Sequence, residues 1–154
     1  MDDLVKQPNS QMCFVCGMEN PIGLKQFFYE DGNGRVMTTF TPGEEHQGYP
    51  GVLHGGIAAT LLDEVLGRVI IGRGEWLMTA RIEIRYKKMI PLDQPLTIVG
   101  EVVRKTRRLV EARGELLLAD GSVAVTASAT YLPVPEEKLK EAEKALGYWK
   151  VFPD

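Results

Sequence analysis

The stretch GVLHGGIAATLLDEVLG, residues 51–67, decides the fold of this 154-residue chain. Apolar residues within it and just after it recur every three or four positions, which is the spacing of one face of an α-helix. These residues are Ala58, Leu61, Leu62, Val65 and Val69. Gly72 and Gly74 are stop signals for the helix. Because a helix with a single apolar stripe needs a sheet to cover that stripe, the sequence predicts a helix buried against a sheet.

Strand patterns lie on both sides of this helix. Before it, LKQFFYE (24–30) and RVMTTFT (35–41) flank DGNG, whose glycines supply the positive φ angles of a hairpin turn. After it, apolar and polar residues alternate over 79–86, with Thr79 on the polar face. Three more strand patterns follow: PLTIVGEVVRK (95–105), LVEARGELLLA (109–119) and SVAVTASATYLPV (122–134). The predicted fold class is α+β, with one long helix against a curved antiparallel sheet.

Length and composition indicate one domain over residues 1–154, since 44% of the residues are hydrophobic and 25% are charged. We expect an irregular segment over 1–22, a core over about 23–133 and a short amphipathic helix over about 135–147, begun by Pro135. The apolar side of this last helix is typical of an edge or an interface.

The charge balance and the motifs exclude several classes of protein. A net charge of −3 argues against a nucleic-acid partner. The absence of a ~20-residue apolar run argues against a membrane partner. The start MDDLVKQPNSQ lacks the order of a signal peptide, so we expect a cytoplasmic protein. There is no phosphate-binding or dinucleotide-binding glycine motif, and no GxSxG motif of a serine hydrolase.

Cys13 and Cys16 are the only cysteines, too few for a disulfide-stapled scaffold. CFVC has the spacing of half a zinc site, but the chain has no second pair, and its two histidines lie far along the sequence. We therefore predict no metal and interpret the two thiols as packed or simply reduced. A zinc ion shared between subunits stays open.

The start of the helix contains candidate hydrogen-bond donors for a substrate. If the helix begins after His54, the amides of Gly55 and Gly56 lie in its first turn, where backbone donors have no intrahelical acceptor. Together with the helix dipole, these donors suit a carbonyl oxygen that gains negative charge. His54 is placed to bond the same carbonyl or to hold the loop. The alternative is that the glycines allow close packing and that His54 is a capping or buried residue.

Asp63 is the second candidate, because its helix face is mostly apolar. A carboxylate on such a face is unusual unless it has a functional role or a polar partner. The alternative is a solvated carboxylate, as expected for Glu64. Asp63 lies seven residues beyond Gly56, which is about 10 Å along the helix axis. One helix does not bring both groups to one carbonyl carbon, whereas two antiparallel helices across a two-fold axis do. The spacing therefore predicts a dimer with composite sites.

The motif GVLHGGIAATLLDE, followed by TARIEIRYKKMIPL (79–92), resembles the hotdog-fold acyl-CoA thioesterases of the phenylacetate-degradation type, a group that includes the mammalian thioesterase-superfamily members. The resemblance covers about residues 23–133. It implies a hotdog fold, in which a curved sheet wraps one long helix. It also implies hydrolysis of an acyl-CoA thioester to a free acid and coenzyme A, with no further cofactor.

The resemblance assigns roles to particular residues. In the family, a glycine amide at the helix start donates to the oxyanion, and a helix aspartate from the opposite subunit is general base or nucleophile. These roles fall on Gly55 or Gly56 and on Asp63. A family Ser or Thr that helps to position water matches Thr79. Strand alternation turns Thr79 away from the site unless the strand start is irregular or the partner supplies the residue.

One position departs from the family pattern. Many members have an asparagine six residues before the histidine, where this chain has Gly48. Gln47 is the nearest polar substitute and His46 is close to it. The departure puts the positioning of substrate or water in doubt.

Two further groups are candidates for substrate binding. Trp76, Leu77 and Met78 form either the wall of an acyl pocket or part of a dimer core. The run RKTRR is either a solvated hairpin or a patch that attracts the phosphates of coenzyme A. Its basic residues are Arg104, Lys105, Arg107 and Arg108.

The predicted function is thioester hydrolysis by a homodimer or a dimer of dimers that acts on an acyl-CoA. Two alternatives stay open. One is a non-hydrolytic acyl-CoA or acyl-carrier binding module of the same fold, which the missing asparagine favours. The other is a structural or regulatory module in which the helix only organises a dimer.

Overall fold

The helix predicted from the central stretch is α1, Gly55–Gly67, in the computed structural model, which describes residues 3–71 and 75–154. The predicted apolar stripe is confirmed, and Val69 is buried in the turn after the helix. The fully buried residues of α1 are Ala58, Leu61, Leu62, Val65 and Leu66. The helix ends at Gly67, before the predicted stop signals Gly72 and Gly74, which lie outside the described residues.

Nine strands and a second helix complete the described elements. In chain order they are β1 (Val5–Lys6), β2 (Asn9–Ser10), β3 (Tyr29–Glu30), β4 (Arg35–Phe40), β5 (Leu77–Tyr86), β6 (Leu96–Lys105), β7 (Val110–Leu117), β8 (Val123–Pro133), α2 (Glu136–Ala145) and β9 (Trp149–Lys150). A short 3₁₀ turn, Glu44–His46, lies between β4 and α1. Seven strands form one antiparallel sheet in the order β1-β3-β4-β6-β7-β8-β5, so the α+β prediction is confirmed.

The buried faces of the central strands cover α1. Along β7 the burial alternates, because successive side chains point to opposite faces of a strand. Gly100 of β6 and Gly114 of β7 pair directly across the ladder below the helix. A Cβ at Gly100 would lie 2.8 Å from Leu66 Cδ2, and one at Gly114 would lie 2.7 Å from the backbone oxygen of Val99. This pair of glycines therefore lets the helix approach the sheet closely.

The amino-terminal segment is more ordered than the sequence predicts. The prediction of an irregular segment over 1–22 is wrong at β1 and β2, and the strand predicted over 24–30 narrows to Tyr29–Glu30. The amides of Leu24 and Gln26 donate to the backbone oxygens of Phe14 and Val15 instead of a sheet ladder. Short pairings of this kind have no local sequence signal because their partners are distant along the chain.

The carboxyl-terminal helix is confirmed, but it does not close the chain. α2 follows Pro135 and has no fully buried residue, as expected for an edge element. β9 follows it and pairs with β2, so the two ends of the chain meet. No helix in residues 3–71 and 75–154 is both long enough and apolar enough to cross a membrane.

Candidate active site

The start of α1 uses one of its two glycine amides internally. His54 is the N-cap residue, and its Nδ1 accepts a hydrogen bond of 2.8 Å from the Gly56 amide. The capping alternative therefore describes His54, which is exposed and not buried. The Gly55 amide has no acceptor within the described ranges. It is the amide of the glycine pair that stays available to a ligand.

Tyr86, at the end of β5, contacts the same turn. Its hydroxyl donates to the backbone oxygen of Gly55 over 2.6 Å. The Gly55–Gly56 peptide group is thus bonded at both ends, through its N–H to His54 and through its C=O to Tyr86. Sequence reasoning places Tyr86 on the apolar side of its strand and misses this contact, for which there is no local signal.

Asp63 is held by two hydroxyl groups. Thr79 Oγ1 donates to Asp63 Oδ1 over 2.8 Å, and the Tyr131 hydroxyl lies 3.0 Å from both Asp63 Oδ1 and the Asp63 backbone oxygen. Burial, followed by the nearby Asp63 carboxylate, raises the pKa of Tyr131, so its hydroxyl remains a donor. The sequence gives no sign of Tyr131, which comes from β8, 68 residues further along the chain.

Thr79 reaches Asp63 because β5 begins irregularly. The ladder with β8 shifts its register between Thr79 and Arg81, which leaves Ala80 as the extra residue of a bulge. Thr79 pairs with Tyr131, and Ile82 pairs with Ala129, so all four face the helix side of the sheet. Strict alternation would turn Thr79 away from the site, and the irregular strand start, an exception that the sequence leaves open, brings it to Asp63 instead.

A cavity of about 340 Å³ adjoins this carboxylate. Its wall includes Asp63, Thr79 and Tyr131 together with Trp76, Leu77 and Met78 of the predicted acyl pocket. The structure therefore brings these candidates together. A volume of this size lies at the small end of ligand pockets.

The loop before α1 leaves no polar side chain in the place of the family asparagine. A Cβ at Gly48 would lie 3.3 Å from the Cα of His54, which is a tight contact. Gln47 Oε1 accepts from the Gly51 amide over 3.1 Å, and His46 Nδ1 accepts from the Gly43 amide over 2.9 Å. Both polar candidates thus stabilise turns of the loop.

The basic run lies in the β6–β7 hairpin and its residues have different surroundings. Lys105 and Arg107 line a second cavity, of about 630 Å³, that shares Trp76 and Leu77 with the first one. Lys105 is paired with Glu75, and Arg104 lies 3.9 Å from Glu111. Arg108 is exposed. Two of the four basic residues are therefore placed near the predicted acyl wall.

Next to Asp63, Glu64 is not the solvated carboxylate that the sequence predicts. Its Oε1 accepts from Nε of Arg68 over 2.9 Å, and the Arg68 side chain is only 3% exposed. Burial raises the pKa of Glu64. The i,i+4 spacing of Glu64 and Arg68 permits this ion pair, but nothing in the sequence shows that Arg68 is only 2% exposed.

Cys13 and Cys16 face Glu64. One donor atom from each of the three residues lies within 4.8 Å of the other two. The hydrogen bond from the Cys13 thiol lowers the pKa of Cys16, and Arg68 and Ser10 contribute in the same direction. The same contact raises the pKa of Cys13. The two thiols thus lie close to each other and to the Glu64 carboxylate.

A curved antiparallel sheet packed around one long helix is the architecture of the hotdog fold. The chain belongs to the thioesterase superfamily, whose family model matches residues 50–125. The acyl-coenzyme A thioesterase THEM4 of Mus musculus is 35% identical over 135 residues, covering 86% of this chain and 58% of that protein. The chain thus spans less than two thirds of the length of such curated relatives.

Solved structures agree with this assignment. The thioesterase superfamily protein RHA08564 is 34% identical with a TM-score of 0.73, covering 78% of this chain and 59% of that chain. A hypothetical thioesterase protein from Streptococcus pneumoniae TIGR4, crystallised with coenzyme A, is 30% identical with a TM-score of 0.64. That likeness covers 66% of this chain and 80% of the other.

Proposed function

We propose that this protein hydrolyses an acyl-CoA thioester to a free acid and coenzyme A. The observation that carries the proposal is the Asp63 carboxylate, held by Thr79 and Tyr131 in the wall of a cavity. Asp63 either removes a proton from water or attacks the thioester carbonyl carbon itself. The relatives named as acyl-coenzyme A thioesterases and the neighbour crystallised with coenzyme A support the substrate class.

The oxyanion formed in this reaction is assigned to the Gly55 amide. The Gly56 amide already donates to His54, and this bond fixes the first turn of α1. The positive end of the helix dipole acts in the same direction as the amide. One well-placed donor of this kind contributes about 3–4 kcal/mol to the transition state.

The active site is proposed to form between two protomers. Gly55 and Asp63 are eight residues apart on one helix, which is about 12 Å along its axis. β5 is an edge strand, with Thr79 near Asp63 at its start and Tyr86 at Gly55 at its end. Antiparallel pairing of two such edges across a two-fold axis would bring the start of one strand beside the end of the other.

The substrate is proposed to lie across the two cavities. The acyl group would pack against Trp76, Leu77 and Met78, which share the first cavity with Asp63. The phosphates of coenzyme A would approach Lys105 and Arg107 in the second cavity. Arg104 and Arg108 would add to the positive charge around them.

The test is the release of free thiol from a panel of acyl-CoAs by the parent chain and by Asp63→Asn. A positioned acid or base contributes about 10²–10⁴-fold, so the variant should lose at least 100-fold in kcat/KM. The matched control is Glu137→Gln, an exposed carboxylate of α2, which should keep the parental rate. Equal rates for the parent and Asp63→Asn would remove Asp63 from the reaction.

The missing asparagine leaves a binding module as the second candidate, since neither Gln47 nor His46 replaces that side chain. A binder would release no thiol. Its melting temperature should nevertheless rise with a non-hydrolysable acyl-CoA thioether, because a ligand that binds only the folded state stabilises that state.

A further inference from the structure

Within the described residues, Cys13, Cys16 and Glu64 form a group of donor side chains that the proposed hydrolysis does not use. The two thiols belong to one tight turn, whereas Glu64 belongs to α1, far along the chain. Their three donor atoms lie within 4.8 Å of one another. Two sulfur atoms and one carboxylate oxygen are donors that zinc accepts, and tetrahedral coordination would bring them a little closer together.

The turn around the cysteines is built to support sulfur ligands. The Val15 amide donates to Cys13 Sγ over 3.4 Å, and Ser10 Oγ lies 3.3 Å from Cys16 Sγ. The Gly17 amide donates to the Cys13 backbone oxygen over 2.7 Å, and a Cβ at Gly17 would overlap the Cys13 backbone. Hydrogen bonds to the ligand atoms orient them and are a regular part of metal sites.

The charges around the group suit a divalent cation. Two thiolates and a carboxylate would put three negative charges in a largely buried place, which is costly without compensation. Arg68 supplies one positive charge, through its 2.9 Å bond to Glu64. Its side chain is fixed by Pro8 and by the ring of Phe28, 4.3 Å from the guanidinium carbon. A divalent ion would supply the remaining two positive charges.

We propose that Cys13, Cys16 and Glu64 bind one thiophilic divalent cation, with Zn²⁺ the best match to the donor set. The fourth position opens toward the cavity that holds Asp63, since the cysteines and Glu64 line that same cavity. The ion would tie the amino-terminal segment to α1, one residue from Asp63. The proposal does not depend on thioester hydrolysis.

The test is metal binding by the full chain, reduced and freed of metal with a chelator. Co²⁺ is the spectroscopic probe, because thiolate ligands give a sulfur-to-cobalt charge-transfer absorption. We expect one Co²⁺ per chain with this absorption, its displacement by Zn²⁺, and a rise in melting temperature with Zn²⁺. Cys13→Ser and Cys16→Ser should abolish the absorption, and Glu64→Gln should weaken binding by about tenfold or more.

The matched control is Glu19→Gln, an exposed carboxylate near the same turn, which should bind Co²⁺ as the parent does. Circular dichroism checks the folding of each variant, and Glu64→Gln, which keeps the side-chain shape, decides the matter if a serine variant does not fold. If the reduced parent chain gave no charge-transfer absorption with Co²⁺, the proposal would be overturned. It would also be overturned if Glu64→Gln bound Co²⁺ as tightly as the parent does, or if Cys13 and Cys16 formed a disulfide and the chain bound no metal.

Discussion

At the scale of single residues, the first turn of α1, which holds the proposed oxyanion donor, is fixed by two hydrogen bonds. The Gly55–Gly56 peptide group is bonded to His54 through its N–H and to Tyr86 through its C=O. Both bonds restrict the first turn before any substrate binds, so the proposed donor would need little rearrangement when charge develops. The remaining Gly55 amide then has a defined direction.

Gly55→Pro tests this donor. Proline is well tolerated at the first position of a helix, and the extended backbone of His54, with ψ 131°, suits a residue before proline. The change removes the N–H while keeping the helix start. We expect kcat to fall about 10²–10³-fold, measured by thiol release. Gly55→Ala is the control that keeps the N–H, and its Cβ would make ordinary contact with the Tyr86 ring at 3.4 Å. A Gly55→Pro enzyme with parental kcat would exclude this amide as the donor.

Tyr131 gives a prediction about pH. Burial and the Asp63 carboxylate raise its folded-state pKa above the ordinary value of 10. The folded state therefore holds this proton at pH values where the unfolded state has lost it. The resulting stability is fully present below about pH 10 and is lost as the pH rises further.

The measurement is the free energy of unfolding in urea at about pH 8 and about pH 11, for the parent and Tyr131→Phe. The advantage of the parent over the variant should shrink at the higher pH. Tyr49→Phe, at a residue that is 76% exposed, is the control and should have the same free energy of unfolding as the parent at both pH values. An advantage that stays constant would contradict the raised pKa.

At the scale of elements, local patterns predicted α1 well. A capping residue, a glycine pair and one apolar stripe are all local features, and His54 does cap a helix that begins at Gly55. The position of Thr79 could not be predicted in the same way. A single bulge in β5 turns Thr79 to the other face, and it depends on the pairing with β8.

Glu64 and the cysteine pair show the same limit. From the sequence, Glu64 is predicted to be a solvated helix carboxylate. The two cysteines are predicted to bind no metal, because the chain has no second cysteine pair. Arg68 lies one helical turn after Glu64, but the two cysteines reach Glu64 only when the amino-terminal segment folds back over α1, which β2 and β9 help to fix. The third donor of the proposed metal site is therefore visible only in three dimensions.

The contact between α1 and the sheet depends on two small residues. In Gly114→Ala the added Cβ would lie 2.7 Å from the Val99 backbone oxygen and 3.0 Å from Leu66 Cδ2. Because the contact at 2.7 Å is with backbone, which must shift to admit the methyl group, we expect a loss of about 1–3 kcal/mol in the free energy of unfolding. Glu115→Ala, the next residue on the outer face, should change it by less than about 0.5 kcal/mol. Parental stability in Gly114→Ala would contradict the close packing.

At the scale of the whole molecule, the two halves of the proposed site lie at opposite ends of β5. Thr79 holds Asp63 near the start of the strand, and Tyr86 holds Gly55 at its end. Under the proposed mechanism, a protomer alone would present the acid without its oxyanion donor. Two protomers paired along β5 would present two complete sites.

Mixing two inactive variants tests this central claim most directly. Asp63→Asn and Gly55→Pro are refolded together, so that about half of the dimers contain one chain of each kind. In such a dimer one site has both defects and the other has neither. The account predicts that the mixture recovers about a quarter of the parental thiol-release rate. A mixture no more active than the two variants measured apart would contradict it.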